Sequence, residues 1–353
     1  MTRHRPPRIL FRADATASLG GGHIMRCLSL AQALRERHAE IAFACAPGSA
    51  DIAPALARSG FPVVEAAGEA VFPLPAGWED RADAIFVDLY TSTAADETRM
   101  RDRTATIAVI EDLPDRAHDC DLLVDPLPGG SPFAYSDRVP GHCNILAGGA
   151  FALLRPEFAD HRAAALSRHR AETPLSRVLA SMGLTDLGGI SQTVARIALD
   201  ALPEARIEVV LGPRATSRAP LERLAESEPR LHVLIDIDDM AERMTRADLA
   251  IGAGGGTALE RCALGLPSIA IVLADNQREA TRILHADGAL LAIDGPDRIA
   301  GDLPRLIGSL TPPARAIMAV RAASVCDGQG AGRVAEALLA CLDRPARGER
   351  AHG

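Results

Sequence analysis

Residues 9–34 read ILFRADATASLGGGHIMRCLSLAQAL, and this single stretch contains the features that decide the fold. An apolar strand ends at Arg12–Asp14, a glycine turn follows at Gly20–Gly22, and a helix begins near His23. The helix is predicted because apolar residues recur at the spacing of one buried helical face. A strand that passes through a glycine turn into a helix is typical of a βαβ unit.

The same alternation of short apolar strands and Ala-, Leu- and Arg-rich helices continues along the chain. Strands are predicted at Arg8–Ala13, Ile41–Cys45, Ala84–Asp88, Thr106–Ile110, Leu122–Asp125, Arg177–Ser181, Ile207–Leu211, Leu231–Ile235, Leu249–Ile251 and Ser268–Val272. Helices are predicted at His23–Arg37, Ser191–Leu202 and Leu221–Ser227. This order indicates an α/β fold in which helices cover both faces of parallel sheets.

A polar, arginine-rich stretch at Phe158–Pro174 separates the two series of strands. We therefore predict an N-terminal domain at residues 1–160, a C-terminal domain at 161–343 and a disordered tail at 344–353. Ligands of open parallel sheets bind beyond the carboxyl ends of the strands. Two such domains are therefore predicted to face one another across an interdomain cleft.

The composition narrows the possible functions. A formal net charge of −8 argues against a large nucleic-acid surface, which requires a basic face. All 38 basic residues are arginine, which excludes chemistry that depends on lysine. The seven cysteines form no CxxC pair and are predicted to be reduced thiols. Because no signal peptide or long apolar run is recognised, we predict a cytoplasmic protein without a membrane partner.

His23 is the first candidate for chemistry. The glycines at Gly21 and Gly22 allow a ligand to approach the backbone closely. A helix N-terminus carries positive potential, which disfavours the charged form of a histidine in the first turn. A neutral imidazole can accept a proton from water, so His23 is a candidate general base. The structural alternative is an ordinary glycine turn followed by a capping histidine.

A second glycine loop lies between a strand and a helix at residues 252–257, GAGGGT. Such a loop, followed by a helix N-terminus, is typical of a diphosphate site, although glycines also permit tight strand–helix packing. Glu260, one turn into the helix, could accept hydrogen bonds from ribose hydroxyl groups. The predicted binding residues here are Gly254, Gly255, Gly256, Thr257, Glu260, Asn276 and Gln277.

Further polar residues follow other strands. Gly183 and Thr185 lie in the loop that opens the second domain and are predicted to line the nucleotide site. In the first domain, acids and a tyrosine follow two strands, at Asp88, Tyr90, Glu111 and Asp112. His118 is interpreted as structural. No HExxH, DxD or His/Cys cluster is present, so no metal site is predicted.

The run RADATASLGGGHIMRCLSLA, residues 12–31, resembles the N-terminal signature of the UDP-sugar hydrolases of pseudaminic acid biosynthesis. The runs HDCDLLVDP, GAFALLRPEFA, SMGLTD and GGGTALERCALGLPSIAIVLADNQ look like further landmarks of that family in the same order. The resemblance covers roughly residues 8–340. That family acts on UDP-2,4-diacetamido-2,4,6-trideoxy-β-L-altropyranose and is similar to the glycosyltransferase B fold, with two Rossmann-like domains.

The resemblance implies roles for particular residues. His23 matches the catalytic histidine and Tyr90 an active-site tyrosine. Arg12 and Asp14 match polar residues near the same turn. Of these two, Asp14 is predicted to be catalytic and Arg12 to bind substrate. Glu260 and Asn276 match nucleotide or sugar contacts. The implied reaction is attack of water on the anomeric carbon with UDP as leaving group. No metal or cofactor is expected, and the partners are the UDP-sugar and water, with the protein a monomer.

Some residues depart from the family pattern, and other functions stay open. Leu184 replaces the second glycine of the usual Met-Gly-Gly loop, and Leu89 replaces the histidine of an Asp-His-Tyr run. The alternatives are a glycosyltransferase of the same fold, a hydrolase of a different UDP-amino sugar, a UDP-sugar 2-epimerase and a catalytically silent sugar-nucleotide binding protein. The resemblance would place the protein in nonulosonic acid biosynthesis and flagellin glycosylation.

Overall fold

The computed structural model describes residues 5–16, 18–79, 81–169 and 174–343. The predicted tail at 344–353 lies outside these residues. The described chain divides into two compact units. The first contains residues 5–16, 21–79, 81–155 and 329–343, and the second contains residues 18–20, 156–169 and 174–328.

The ten predicted strands are all present, each within two residues of its predicted ends. The strands are β1 (Arg8–Ala13), β2 (Glu40–Cys45), β3 (Val63–Glu65), β4 (Ala84–Asp88), β5 (Thr106–Ile110), β6 (Leu122–Asp125), β7 (Asn144–Ala147), β8 (Arg177–Ser181), β9 (Arg206–Leu211), β10 (Leu231–Ile235), β11 (Leu249–Ala253), β12 (Ser268–Ile271) and β13 (Leu291–Ile293). The helices are α1 (Gly22–Arg35), α2 (Ser49–Ile52), α3 (Pro54–Arg58), α4 (Ala94–Met100), α5 (Pro156–His169), α6 (Ile190–Ala201), α7 (Arg218–Ser227), α8 (Met240–Arg246), α9 (Thr257–Ala263), α10 (Arg278–Ala286), α11 (Ile299–Ser309), α12 (Pro312–Val325) and α13 (Gly330–Leu342).

The first unit is built on a seven-stranded parallel sheet with the order β3-β2-β1-β4-β5-β6-β7. Its central strands are buried on both faces, which explains their unbroken apolar sequences. Register places Phe11 beside Phe43 on one side and Phe86 on the other. Their rings stack at centroid distances of 5.1 Å and 5.6 Å, so aromatic pairs across the strands reinforce this register.

The second unit repeats the architecture with six parallel strands in the order β10-β9-β8-β11-β12-β13. In both sheets the chain first adds strands on one side and then returns to add them on the other, which is the Rossmann-like order. The predicted α/β class with two Rossmann-like parallel sheets is confirmed. The interdomain cleft stays a prediction.

The predicted boundary stretch, Phe158–Pro174, begins as a helix. Its residues up to His169 belong to α5, and the first unit ends before them at Arg155. One arginine of this stretch, Arg162, has a structural role. Its guanidinium donates to the carbonyl oxygens of Ala323 and Cys326 at 2.7 Å and 3.0 Å. These carbonyl groups lie at the end of α12, so α5 is fixed within the second unit.

The last helix, α13, lies with the first unit, whereas the predicted domain at 161–343 included it with the second. Arg333 donates to the carbonyl oxygen of Ala150 at 2.9 Å, and Arg37 pairs with Glu336 at 2.8 Å. Gly330 lies so close to the backbone that an added Cβ would come within 2.3 Å of the carbonyl oxygen of Ala152. The helix therefore returns to the first unit through contacts distant in sequence.

Candidate active site

The predicted site residues lie at the switch point of each sheet, where the direction of strand addition reverses. In the first sheet this point is between β1 and β4, and in the second it is between β8 and β11. The loops that leave the carboxyl ends of neighbouring strands diverge there and form a crevice, the usual ligand site of open α/β sheets.

At the switch point of the first sheet, His23 pairs with Asp88. His23 is the second residue of α1, Asp88 ends β4, and both side chains are buried. The Nδ1 atom of His23 lies 2.6 Å from Oδ1 of Asp88. Because a carboxylate accepts hydrogen bonds, this contact assigns the proton of the neutral ring to Nδ1. The Nε2 atom is then unprotonated and can act as a base.

Asp88 is also bound by Arg26, which lies one turn beyond His23 on the same helix. The Nε atom of Arg26 donates to Oδ2 at 2.7 Å, and Nη2 donates to Oδ1 at 2.6 Å. Burial alone would raise the pKa of Asp88, but Arg26 and His23 outweigh it and hold that pKa well below its usual range. Asp88 is therefore ionised at neutral pH and can orient the imidazole.

Tyr90 lies against His23, as expected for residues of one site. The two rings meet edge to face, with centroids 4.7 Å apart and planes at 88°. Tyr90 follows β4 by two residues and is half-buried. This packing restricts rotation of the imidazole about its side-chain bonds.

Arg12 and Asp14 form an ion pair that links the ends of neighbouring strands. Both nitrogens at the tip of Arg12 donate to the Asp14 carboxylate, and Arg12 Nε donates to the carbonyl oxygen of Gly68 at 3.2 Å. Asp14 also accepts from the amide of Ala46 at 2.6 Å. These bonds join the loops after β1 and β2, which is a structural role. The catalytic role expected of Asp14 stays a prediction.

The two glycines before His23 have different surroundings. Gly21 is buried and caps α1, where its carbonyl oxygen accepts from the amide of Met25 at 3.0 Å. Gly22 is exposed, and an added Cβ would meet no atom within 4 Å. Packing within the protein therefore does not require a glycine at position 22, and the start of α1 has open space beside it.

His118 was interpreted from sequence as a structural residue, and it is buried between two glutamates. Its Nδ1 lies 2.8 Å from Glu97 and its Nε2 lies 3.2 Å from Glu111. Burial would lower the pKa of His118, but the two carboxylates outweigh it and raise the pKa to about 9. The protonated ring therefore links α4 to the loop that follows β5.

This link predicts a fall in stability with rising pH. The folded pKa of His118, about 9, lies above the unfolded value of about 6.5, so its stabilisation is complete below pH 6.5 and is lost towards pH 9. We expect the thermal midpoint of wild type to fall by roughly 5 °C over that range through this group. His118→Gln should remove that slope. The matched control is His142→Gln, which changes an exposed histidine paired with Asp121; equal slopes in all three proteins would contradict the assignment.

At the switch point of the second sheet, the loop after β8 has the predicted Gly183 and Thr185. Gly183 has a φ of +90°, which favours glycine, and Thr185 is half-buried. The backbone at Leu184, the departure from the family pattern, packs on Gly212, where an added Cβ would lie 2.1 Å from the Leu184 carbonyl oxygen. Gly212 thus provides the space for this loop.

The glycine loop after β11 is close-packed at one end and open at the other. An added Cβ on Gly254 would lie 2.3 Å from Oγ1 of Thr281, whereas one on Gly256 would meet nothing within 4 Å. Thr257 is the first residue of α9. Close packing against Thr281 therefore requires a glycine at position 254. The exposed Gly256 leaves free space next to the start of α9.

The other predicted residues of this unit surround the same loop. Glu260 is half-buried one turn into α9, and Asn276 is exposed in a short helical turn at Asp275–Gln277. The Oε1 atom of Gln277 accepts from the amide of Leu273 at 3.1 Å. Its Nε2 would lie 3.5 Å from a Cβ on Gly255, so Gln277 contacts the glycine loop.

Sequence reasoning missed a buried arginine behind this loop. Arg261 is 1% exposed, and its Nη2 donates to the carbonyl oxygen of Ala253 at 2.9 Å. Its Nη1 donates to Oγ1 of Thr257 at 3.3 Å, and Nε has no hydrogen-bond partner in the described structure. Burial lowers the pKa of Arg261 to about 10, so it stays cationic at neutral pH. It adds positive potential to the loop.

In the first unit, the residues missed were Arg26 and the partnership of Asp88 with His23. The three-residue spacing of His23 and Arg26 on a predicted helix is the signal that could have found Arg26, because it puts both on one face. Asp88 was recognised only as a carboxylate at a strand end.

Among the described residues, no group of three or more His, Cys, Asp or Glu side chains is arranged to hold a metal ion. In the same ranges, no helix combines the length and apolar character needed to cross a bilayer.

Comparison with known proteins supports the fold and the resemblance. Residues 192–317 match the glycosyltransferase family 28 C-terminal domain. The UDP-2,4-diacetamido-2,4,6-trideoxy-β-L-altropyranose hydrolase of Campylobacter jejuni is 24% identical over 283 residues, covering 80% of this chain and 97% of that protein.

Solved structures show the same architecture. MurG of Acinetobacter baumannii has a TM-score of 0.61 at 15% identity, with 95% of this chain and 100% of that one covered. The UDP-GlcNAc 2-epimerase of Neisseria meningitidis has a TM-score of 0.55 at 13% identity, with 94% and 100% covered. The chain therefore has the two-domain α/β fold of these structures, matches the family 28 C-terminal domain over residues 192–317 and is similar over most of its length to the Campylobacter hydrolase.

Proposed function

We propose that this protein is a hydrolase that releases UDP from a UDP-linked diacetamido-trideoxy sugar, in pseudaminic or related nonulosonic acid biosynthesis. The observation that carries the proposal is the pairing of His23 with Asp88, which leaves Nε2 of a buried histidine available as a base at a sheet switch point. The relationship to the Campylobacter hydrolase over 80% of this chain supports the substrate class.

In the proposed reaction, Nε2 of His23 accepts a proton from water while the water oxygen bonds to the anomeric carbon. The bond between that carbon and the diphosphate oxygen breaks, and UDP leaves with the electron pair. Asp88 holds the Nδ1 proton and stabilises the imidazolium that forms. Because a single displacement occurs opposite the leaving group, the anomeric configuration of the released sugar is inverted.

The second unit supplies groups suited to the nucleotide. The amides of Gly255, Gly256 and Thr257 surround the start of α9, and the cationic Arg261 lies behind them. Fixed amides and a buried positive charge stabilise the negative charge that develops on a departing diphosphate. The half-buried Glu260 is suited to accept hydrogen bonds from the ribose hydroxyl groups.

The second candidate is a glycosyltransferase of the same fold, favoured by the family 28 domain match and the likeness to MurG. Both reactions use a base that deprotonates an oxygen nucleophile, so His23 and Asp88 fit either one. The need for an acceptor other than water distinguishes the two.

The test is an assay with UDP-2,4-diacetamido-2,4,6-trideoxy-β-L-altropyranose in ¹⁸O-labelled water, without an acceptor and with EDTA. We expect equimolar UDP and reducing sugar, with the label on the sugar C1 and none in UDP, and with the rate unaffected by EDTA. Proton NMR should show inversion at C1 in the first product formed. Intact substrate, or release only when an acceptor is added, would contradict hydrolysis.

A parallel reaction with UDP-GlcNAc tests the choice of sugar. We expect turnover of UDP-GlcNAc at least 100-fold slower, because a site built to hydrogen-bond two acetamido groups is left with unpaired polar groups. Equal rates would indicate a different UDP-amino sugar, and a product with inverted C2 would indicate a 2-epimerase.

A further inference from the structure

Arg26 connects the His23–Asp88 pair to a second acid, Asp112. Its Nη1 atom donates to Oδ2 of Asp112 at 2.7 Å, while Nε and Nη2 hold both oxygens of Asp88 at 2.7 Å and 2.6 Å. The Arg26 side chain is 16% exposed, and the side chains of Asp88 and Asp112 are 1% and 8% exposed. One guanidinium is therefore shared by two carboxylates that solvent barely reaches.

Asp112 is held in place by the loop to which it belongs. The Oε1 atom of Glu111 accepts from the amides of Asp112 and Leu113 at 2.9 Å and 2.8 Å. The other oxygen of Glu111 pairs with Arg116 and lies 3.2 Å from His118. These contacts of Glu111 fix the loop after β5, so Asp112 faces Arg26 in one orientation.

The pairing changes what Asp88 can do to His23. A buried carboxylate with His23 as its main partner would strongly favour the imidazolium, which cannot act as a base. Arg26 neutralises that carboxylate, and its Nη2 lies 3.2 Å from Nδ1 of His23. Asp112 returns one negative charge behind Arg26. The local charge seen by the imidazole is therefore set by all three groups.

We infer that Arg26 and Asp112 are positioning residues: they fix the orientation of Asp88 and balance its charge, and through Asp88 they orient the His23 ring and set the charge beside it. The proposal requires no contact between either residue and the substrate. The significance for catalysis rests on the proposed function, in which His23 is the base. The orientation and charge balance themselves are properties of the free protein.

The other ionisable groups that face His23 belong to the same elements. Cys27 of α1 lies 3.5 Å from Oδ2 of Asp88, and its pKa is raised well above the usual range by burial and by Asp88. Tyr90 follows β4 and contacts the ring edge to face. The Cys27 thiol is therefore neutral near pH 7, and the charged groups at the pair are Asp88, Arg26 and Asp112.

The charge balance predicts opposite effects for two variants. Arg26→Gln removes a positive charge, so His23 should take up its second proton at a pH about one unit higher than in wild type. Asp112→Asn removes a negative charge, so that pH should be about one unit lower. In the double variant Arg26→Gln/Asp112→Asn the two changes should largely cancel, and this variant also avoids an unpaired buried acid.

The measurement is NMR titration of the His23 ring nitrogens in the ligand-free protein, followed by the pH profile of kcat/KM on the same variants. Arg99→Gln, an exposed arginine paired with Asp96, is the matched control and should leave both unchanged. Equal protonation of His23 in all variants, or shifts of one sign, would overturn the inference. If the NMR shifts appear and the pH profiles do not follow, the inference stands and His23 is not the catalytic base.

Discussion

His23→Ala is expected to lower kcat for UDP release by about 10³-fold, with UDP affinity within twofold of wild type. A positioned general base contributes about 10²–10⁴-fold, and the variant removes the only imidazole that Asp88 orients among the described residues. The groups proposed to hold UDP belong to the second unit, so binding should survive. Initial rates of UDP release give kcat, and calorimetry with UDP gives the affinity.

The matched control for this prediction is His38→Asn. His38 is exposed just beyond the end of α1 and has a φ of 63°, which asparagine tolerates. This variant should keep wild-type kcat. If His23→Ala retains more than about a tenth of wild-type kcat, another group deprotonates the nucleophile, and Tyr90 would be the first to replace.

The central strands were predictable from sequence because burial on both faces leaves an unbroken apolar run, as in AIFVD of β4. The strands that the sequence pattern missed are β3, β7 and β13, which have only three or four residues, all half-buried or exposed except the buried Ile293. Each lies at the edge of its sheet, where one neighbour is absent and apolar patterning is weak. A pattern of hydrophobicity cannot mark such strands.

The candidate site was predictable only where local sequence determines chemistry. His23 and Glu260 were identified as candidates because each follows a glycine loop into a helix, a relation contained within a few residues. The partnership of Arg26 with Asp88 and Asp112 spans 62 and 86 residues of sequence. It depends on β4 and β5 lying side by side in the sheet, which a single sequence does not specify.

The same limit applies to Arg261. Its neighbour Glu260 was identified, yet nothing in the run ALERCALG indicates that the arginine turns inward beneath the loop. Its burial follows from Gly252, where an added Cβ would lie 2.5 Å from the guanidinium. The absence of a side chain at that position creates the space, so the first glycine of the loop accommodates a buried cation.

Gly254→Ala and Gly256→Ala are expected to separate the packing role of the glycine loop from its binding role. At Gly254 the new methyl group would lie 2.3 Å from Oγ1 of the buried Thr281, so the loop must shift. We expect this variant to lose roughly 2 kcal/mol of stability and at least tenfold in UDP affinity. At Gly256 nothing lies within 4 Å, so stability should be unchanged.

The second half of this prediction concerns the ligand. If the diphosphate lies over the loop, the methyl group of Gly256→Ala should still weaken UDP binding about tenfold, because a phosphate then approaches the backbone at that point. Thermal unfolding and UDP calorimetry on both variants measure the two effects separately. The double variant Gly254→Ala/Thr281→Ala removes the clashing hydroxyl group and should regain stability. Unchanged UDP affinity in Gly256→Ala would show that the diphosphate binds elsewhere. The added methyl group contacts no protein atom within 4 Å, so it can weaken binding only by contact with a ligand bound at that position.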